Sequence, residues 1–206
     1  MTNLTRRNFI LGSLGVASLF TVGSLSGCSG PATWYQLDKF LAQDPPAIVK
    51  ELEENQGLEY QGEQDLGTHL SYDVYVWGGI PKDPLTKSGE NEILELFKGD
   101  HDAMSRDELL DGEEITGATI TFDTDAFDNG SIESTVEDIV KKCGFSNKKA
   151  EGMHDNGFTY IAAGSCQIDG QDGYWRIDIF NFGSGQVSVF KGNTEMLDNI
   201  ENNIEQ

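Results

Sequence analysis

FTYIAAGSCQIDGQDGYWRIDIFNFGSGQVSVF, residues 158–190, reads as three strands joined by two turns. Trp175, Ile177 and Ile179 alternate with Tyr174, Arg176 and Asp178, so apolar and polar side chains point to opposite faces. Asp169-Gly170-Gln171-Asp172-Gly173 turns the chain before this strand, and Gly183-Ser184-Gly185 turns it after, into a last strand where Val187 and Val189 alternate. Short glycine-rich connections make consecutive strands antiparallel. A three-strand meander with one apolar face needs cover on that face. The expectation is an α+β domain with a mainly antiparallel sheet and helices packed on one face.

Working outward, Asn193 or Thr194 can cap a final helix through Met196, Leu197 and Ile200. Upstream, Ile132, Val136, Ile139, Val140 and Cys143 fall at helical spacing, capped by Ser131 or Ser134 and stopped by Gly144. Ile120 and Phe122 mark a strand within 115–122. Ser105 and Glu108 form a capping box before Leu109 and Leu110, with Gly112 closing the turn. Ile93, Leu94 and Phe97 fit a short helix ending at Gly99. Residues 80–90 hold two prolines and no period, hence a loop. Leu70, Tyr72, Val74 and Val76 alternate as a strand, and Leu58 and Tyr60 begin another.

At the front, Thr33 and Gln36 are spaced as a capping box, with Trp34, Leu37, Phe40 and Leu41 near one helical face. Asp44-Pro45-Pro46 ends that helix and starts a second, which Gly57 closes. Trp34 and Tyr35 are read as core or as membrane-interface contacts. Residues 33–206 are expected to form a single α+β domain. Ile48-Val49-Lys50 echoes Ile139-Val140-Lys141, which allows two helix-plus-sheet halves, about 33–112 and 113–206. Such halves would resemble the tandem domains of β-lactamase inhibitory protein.

Charge narrows the function classes. The chain carries 35 Asp and Glu against 14 Lys and Arg, a net of −21. Residues 1–27 hold two Arg and no acid, so the remainder stands at −23. Such a body repels phosphate backbones, which argues against nucleic acid. It also argues against polybasic attachment to anionic lipid.

The first thirty residues carry a motif. Thr5-Arg6-Arg7-Asn8-Phe9-Ile10 precedes a stretch from Phe9 to Leu25 that is apolar but diluted by Gly and Ser. Leu25-Ser26-Gly27-Cys28 follows. The first resembles the twin-arginine export consensus and the second a lipobox, in the order and place of a bacterial lipoprotein signal. The resemblance covers residues 1–30 only. It implies that residues 1–27 are a signal peptide, that Cys28 carries the lipid, and that 28–32 is a short tether. It also implies that the chain crosses the membrane already folded. Cleavage takes 27 of the 206 residues and leaves 179, enough for one domain. More than one acyl chain is needed for stable anchoring, and a lipoprotein cysteine carries at least two.

With Cys28 consumed, Cys143 and Cys166 remain. An even pair in an oxidising compartment points to a disulfide, closing a loop of roughly 20 residues and adding about 3 kcal/mol. The alternative is two buried thiols, since folding before export happens in a reducing cytosol. His69, His101 and His154 lack the spacing of a zinc pair. Asp123, Asp125, Asp128 and Glu133 bring carboxylates together around Asn129-Gly130 as a calcium candidate. The EF-hand spacing fails there, because Phe127 stands at the third ligand position and the glycine is displaced. No nucleophile elbow, phosphate loop or dinucleotide fingerprint occurs, and no cofactor is expected.

The sequence therefore points to a lipoprotein held at the outer face of the cell membrane. Its domain is read as a binding module for a protein or cell-envelope partner, rather than an enzyme. A hydrolase with an unrecognised site and a solute-binding lipoprotein of a transporter are the alternatives.

Overall fold

The computed structural model describes residues 33–64, 74–99, 101–124, 131–181, 183–192 and 194–204. Among them, nine strands make one sheet: β1 Glu59–Gln64, β2 Val74–Gly78, β3 Ile93–Lys98, β4 Asp102–Ala103, β5 Gly117–Asp123, β6 Lys148–Met153, β7 Thr159–Ile168, β8 Gln171–Phe180 and β9 Ser184–Lys191. Their order is β1-β2-β3-β5-β9-β8-β7-β6, with β4 paired to β3. Every pairing is antiparallel. The α+β class and the antiparallel sheet are thus present, and β7, β8 and β9 are the expected meander. The sheet runs unbroken past residue 112, because β3 pairs with β5.

Period-two alternation sorts the sheet's two faces. Trp77, Leu94, Leu96, Ile120, Trp175 and Val189 belong to the main core. It is closed by Leu37 and Phe40 of α1 (Leu37–Phe40), by Ile48 and Val49 of α2 (Pro45–Lys50), and by Val136, Ile139 and Cys143 of α4 (Ile132–Cys143). Leu109 of α3 (Arg106–Leu110) joins them. The alternate residues Ile161, Ala163 and Tyr174 point the other way, into a smaller cluster with Leu197 and Ile200 of α5 (Glu195–Asn202). This corrects the expectation of helices on one face. The meander offers apolar side chains on both sides, and α5 covers part of the second.

The ends of the helices follow their chemistry. Ser105 caps α3 with a full capping box. Ser131 Oγ accepts from the Ser134 amide at the head of α4, and Gly144 ends it at φ +75°. In α2, Pro45 stands at the first position, but the Asp44 side chain makes no cap bond. The helix widens into a π-type segment over Glu51–Gln56 and stops at Gly57, where φ is +74°. Thr33 does not cap α1, whose N-cap is Gln36 without a side-chain cap bond. The Thr33 amide donates to Gln36 Oε1 at 3.4 Å, while Thr33 Oγ1 is buried without a partner among the described residues.

Two segments depart from the sequence reading. Ile93, Leu94 and Phe97 are on strand β3, not a helix. Leu94 and Leu96 are buried and their neighbours less so, the two-residue period of a strand. Good helix formers are overridden here because β2 and β5 hydrogen-bond to both edges of this segment. Lys148–Met153 was not anticipated as a strand, being charged and lacking alternation. It is an edge strand, where charges are tolerated and block further pairing. The expected strand residues Leu70 and Tyr72 lie outside the described residues.

Trp34 is fully buried and Tyr35 nearly so, which settles them as core. Trp34 Nε1 donates to the Asp83 carbonyl at 2.8 Å, and Tyr35 Oη donates to Asp83 Oδ2 at 3.0 Å. Lys142 Nζ sits 5.3 Å from the centre of the Tyr35 ring and donates to the Pro84 and Leu85 carbonyls at 2.6 and 2.7 Å. The 80–90 loop is therefore tied to Trp34 and Tyr35 before α1 and to Lys142 near the end of α4.

Trp175 sets a tight tolerance at the centre of the meander. Its ring stacks on Phe145 with centroids 5.0 Å apart, and its Nε1 donates to the Ser146 carbonyl. Gly164, its cross-strand partner, leaves the room: a Cβ there would lie 2.6 Å from the indole and 2.5 Å from the Asn147 carbonyl oxygen. Gly164→Ala is expected to cost roughly 1–3 kcal/mol by overpacking. A chemical melt that leaves the unfolding midpoint unmoved would contradict this packing.

Candidate functional site

The face turned away from the main core is only partly covered. Registers place Glu95, Thr119, Ser188 and Arg176 in one cross-strand row. Thr121, Gln186, Asp178 and Ile161 form the next. Over β5, β8 and β9 these rows make a hollow of about 470 Å³ lined by Arg176, Asp178, Gln186, Thr159, Tyr174 and Phe190, among others. That lies within the about 300–1,000 Å³ of ligand sites.

The floor holds a paired charge. Arg176 Nε donates to Asp178 Oδ1 and Oδ2 at 2.9 and 2.7 Å, and its Nη2 donates to Oδ1 at 2.6 Å. The residues stand two apart on β8, so strand geometry alone puts both on one face. Asp178 is 6 % exposed, which makes its pairing obligatory. Beside them Thr119 and Ser188 share a buried hydroxyl bond of 2.9 Å, and Gln186 Nε2 donates to Thr121 Oγ1 at 3.3 Å. At one end Phe190 contacts Tyr174 (5.7 Å between centroids) and His101 (4.4 Å, edge-on). Burial raises the Tyr174 phenol above its usual range, with Arg176 opposing and Asp178 adding. His154 lines the rim, its Nδ1 2.6 Å from Asp155 Oδ1.

Glu95 stands next in the row after Thr119, and burial raises its carboxyl above the ordinary carboxylate range. The folded state thus disfavours the charged form. Below the unfolded-state value both states are protonated and nothing is lost. As pH rises through the window up to the raised folded value, a penalty accrues and then stays constant. Glu95→Gln is therefore expected to raise the melting temperature at neutral pH, and the gain should vanish below the carboxylate range. Calorimetry at both pH values checks this; a gain independent of pH would mean the charge is not the cause.

The sequence-derived site residues fare differently. Arg6, Arg7 and Cys28 lie outside the described residues. So do His69 and, of the calcium candidate, Asp125 and Asp128. Asp123 ends β5 and accepts from Asn91 Nδ2 at 2.7 Å, while Glu133 is exposed in the first turn of α4. Among the described residues no three His, Cys, Asp or Glu side chains are grouped to hold a metal. Cys143 and Cys166 are free thiols, so the disulfide expected between them is not formed. Each is packed as a small apolar group in or against the main core. Burial pushes the Cys143 thiol far up and the Cys166 thiol up to about 12, which disfavours the thiolate of both.

Arg176, Asp178, Gln186, Thr119 and Ser188 were not singled out from sequence. The available signal was Arg-Ile-Asp inside an alternating strand, which puts an acid and a base on the same face. Among the described residues lining the hollow, Asp178 is the one carboxylate, and both its oxygens accept from Arg176. A hydrolysis that needs two carboxylates has no pair to use there. A second, shallower hollow of about 560 Å³ lies beside Tyr60, where Arg106 holds Glu53 through Nε at 2.7 Å and Nη2 at 3.0 Å. Its lining has fewer converging groups.

Among the described residues, no helix is long and apolar enough to cross a membrane. Comparison of the chain with protein-family models, with curated proteins and with solved structures finds no match to any of them.

Proposed function

We propose that this chain is an exported lipoprotein, anchored at the outer face of the cell membrane through Cys28. Its domain is a binding module that meets a protein or cell-envelope partner with the bare face of the sheet. One observation carries the binding part: the polar hollow over Arg176 and Asp178, on the side of the sheet that α1, α2 and α4 leave uncovered. Antiparallel sheets can present one face to solvent, and here that face holds an ion pair whose carboxylate is buried. The free thiols of Cys143 and Cys166 fit export of a chain that folded in a reducing compartment. The anchoring part rests on the residues of the signal alone.

A photo-crosslinking side chain at Gln186, on the bare face, tests this in intact envelopes, with Glu137 on the exposed side of α4 as control. Adducts are expected from position 186 and not from 137. Equal labelling from both positions, or none from 186, would remove the bare face as the binding surface.

A further inference from the structure

We infer that the hollow on the bare face takes a neutral, hydroxyl-rich ligand, a saccharide unit, held at Arg176, Asp178 and Gln186 against the Phe190 ring. This deepens the proposed use of that face and rests on it.

The charge of the hollow decides against ionic ligands. Its Arg176 is already neutralised by a bidentate carboxylate, and the body around it is strongly acidic. An anion would gain little from that guanidinium and would be repelled by the whole molecule. A cation would have to compete with the guanidinium already held at both Asp178 oxygens. Drawing Arg176 away to hold an anion would leave Asp178 buried and uncompensated.

What the pair still offers is a donor beside an acceptor. Nε and Nη2 of Arg176 are committed, and Nη1 makes no bond among the described residues. A carboxylate has about four lone-pair positions on its two oxygens, so Asp178 can accept further. A hydroxyl both donates and accepts, and two adjacent hydroxyls can meet the edge formed by Nη1 and Asp178. Gln186 adds an amide with the same double character in the neighbouring strand, and Thr119 and Ser188 add hydroxyls one row away. The rows lie about 7 Å apart along the strands and the strands about 4.8 Å apart. That grid suits many short polar contacts rather than one strong one. The half-buried ring of Phe190, backed by Tyr174, supplies apolar surface at one end, which the C–H face of a sugar ring can cover.

The test is calorimetric titration of the lipidated full chain in a sugar-free detergent. Three probe sets are used: neutral oligosaccharides of glucose, galactose, mannose and N-acetylglucosamine; an oligouronate; and a chitosan oligomer. Saturable binding is expected from a neutral probe only. Gln186→Ala should weaken it about tenfold. The double change Arg176→Leu with Asp178→Leu removes both charges together, so it avoids an orphaned ion, and binding should be lost. Tighter binding of either charged probe, or neutral binding untouched by both variants, overturns the inference. If every probe is silent while position 186 still crosslinks, the saccharide inference falls and the binding face stands. If the crosslink is silent too, both fall.

Discussion

Replacing Glu92 by Ala is expected to lower the unfolding free energy by about 3–5 kcal/mol, a large fraction of a domain's stability. Glu92 is 1 % exposed. Its carboxylate accepts from the Leu85 amide at 3.0 Å, the Thr86 amide at 2.5 Å and Thr86 Oγ1 at 2.6 Å. Truncation strands three buried donors, each worth about 1–3 kcal/mol when unsatisfied, although water entering the gap recovers part. The damage also spreads, because this loop supplies the carbonyls that hold Lys142 and Trp34. At roughly 2–4 °C per kcal/mol for a domain of this size, the melting temperature should fall by about 6–20 °C. Glu92→Gln keeps the shape but turns an amide group towards the donors, so an intermediate loss of about 1–3 kcal/mol is expected. Urea melts of the two variants decide this. A loss under about 1 kcal/mol for the Ala variant would mean that water replaces the carboxylate freely.

Glu92 also shows where legibility from sequence ends. Helix and strand boundaries near glycines and capping residues could be read locally, because their physics is local: Ser105 with Glu108, Ser131 before α4, Gly57 and Gly144 after their helices. The meander could be read because alternation and turns lie within one stretch of chain. Nothing local distinguishes Glu92 from its exposed neighbour Glu90, since its partners are fixed by how the loop folds back. The segment after it failed for a related reason. Ile93–Lys98 is made of residues that favour helix or strand nearly equally, and neighbours on both sides decide.

The candidate site was half legible. Alternation placed Tyr174, Arg176 and Asp178 on the polar face of their strand, and the register then had to bring Gln186 and Thr119 alongside. Register between β5 and β9 joins residues far apart in sequence, so the hollow has no linear motif. The two-sided character of the meander, with Ile161 and Ala163 on the face opposite Ala162, went unread, because it shows only once α5 is in position.

The proposed anchor makes the sharpest prediction. Cys28→Ala is expected to move the chain from the membrane to the soluble extracytoplasmic fraction and to abolish incorporation of labelled palmitate. The fall in membrane-bound protein should exceed tenfold once residues 1–27 are removed. One acyl chain alone gives only marginal binding, of about 10⁴ M⁻¹, and the variant would carry none. A body at −23 gains no attraction from anionic headgroups. Among the described residues no helix can span the bilayer, and Trp34 and Tyr35, beside the tether, are buried in the core rather than free to insert. Arg6→Lys with Arg7→Lys is expected to act earlier, leaving unprocessed chain inside the cell, since the export resemblance lies in the paired arginines. The two results separate the two halves of the signal: one variant is exported but unanchored, the other is neither. If Cys28→Ala instead stays in the membrane through an alkaline wash at its full length of 206 residues, the stretch from Phe9 to Leu25 is itself the anchor. The lipid attachment would be wrong if the unaltered chain also kept residues 1–27 and took up no palmitate, while the binding face would stand on its own test.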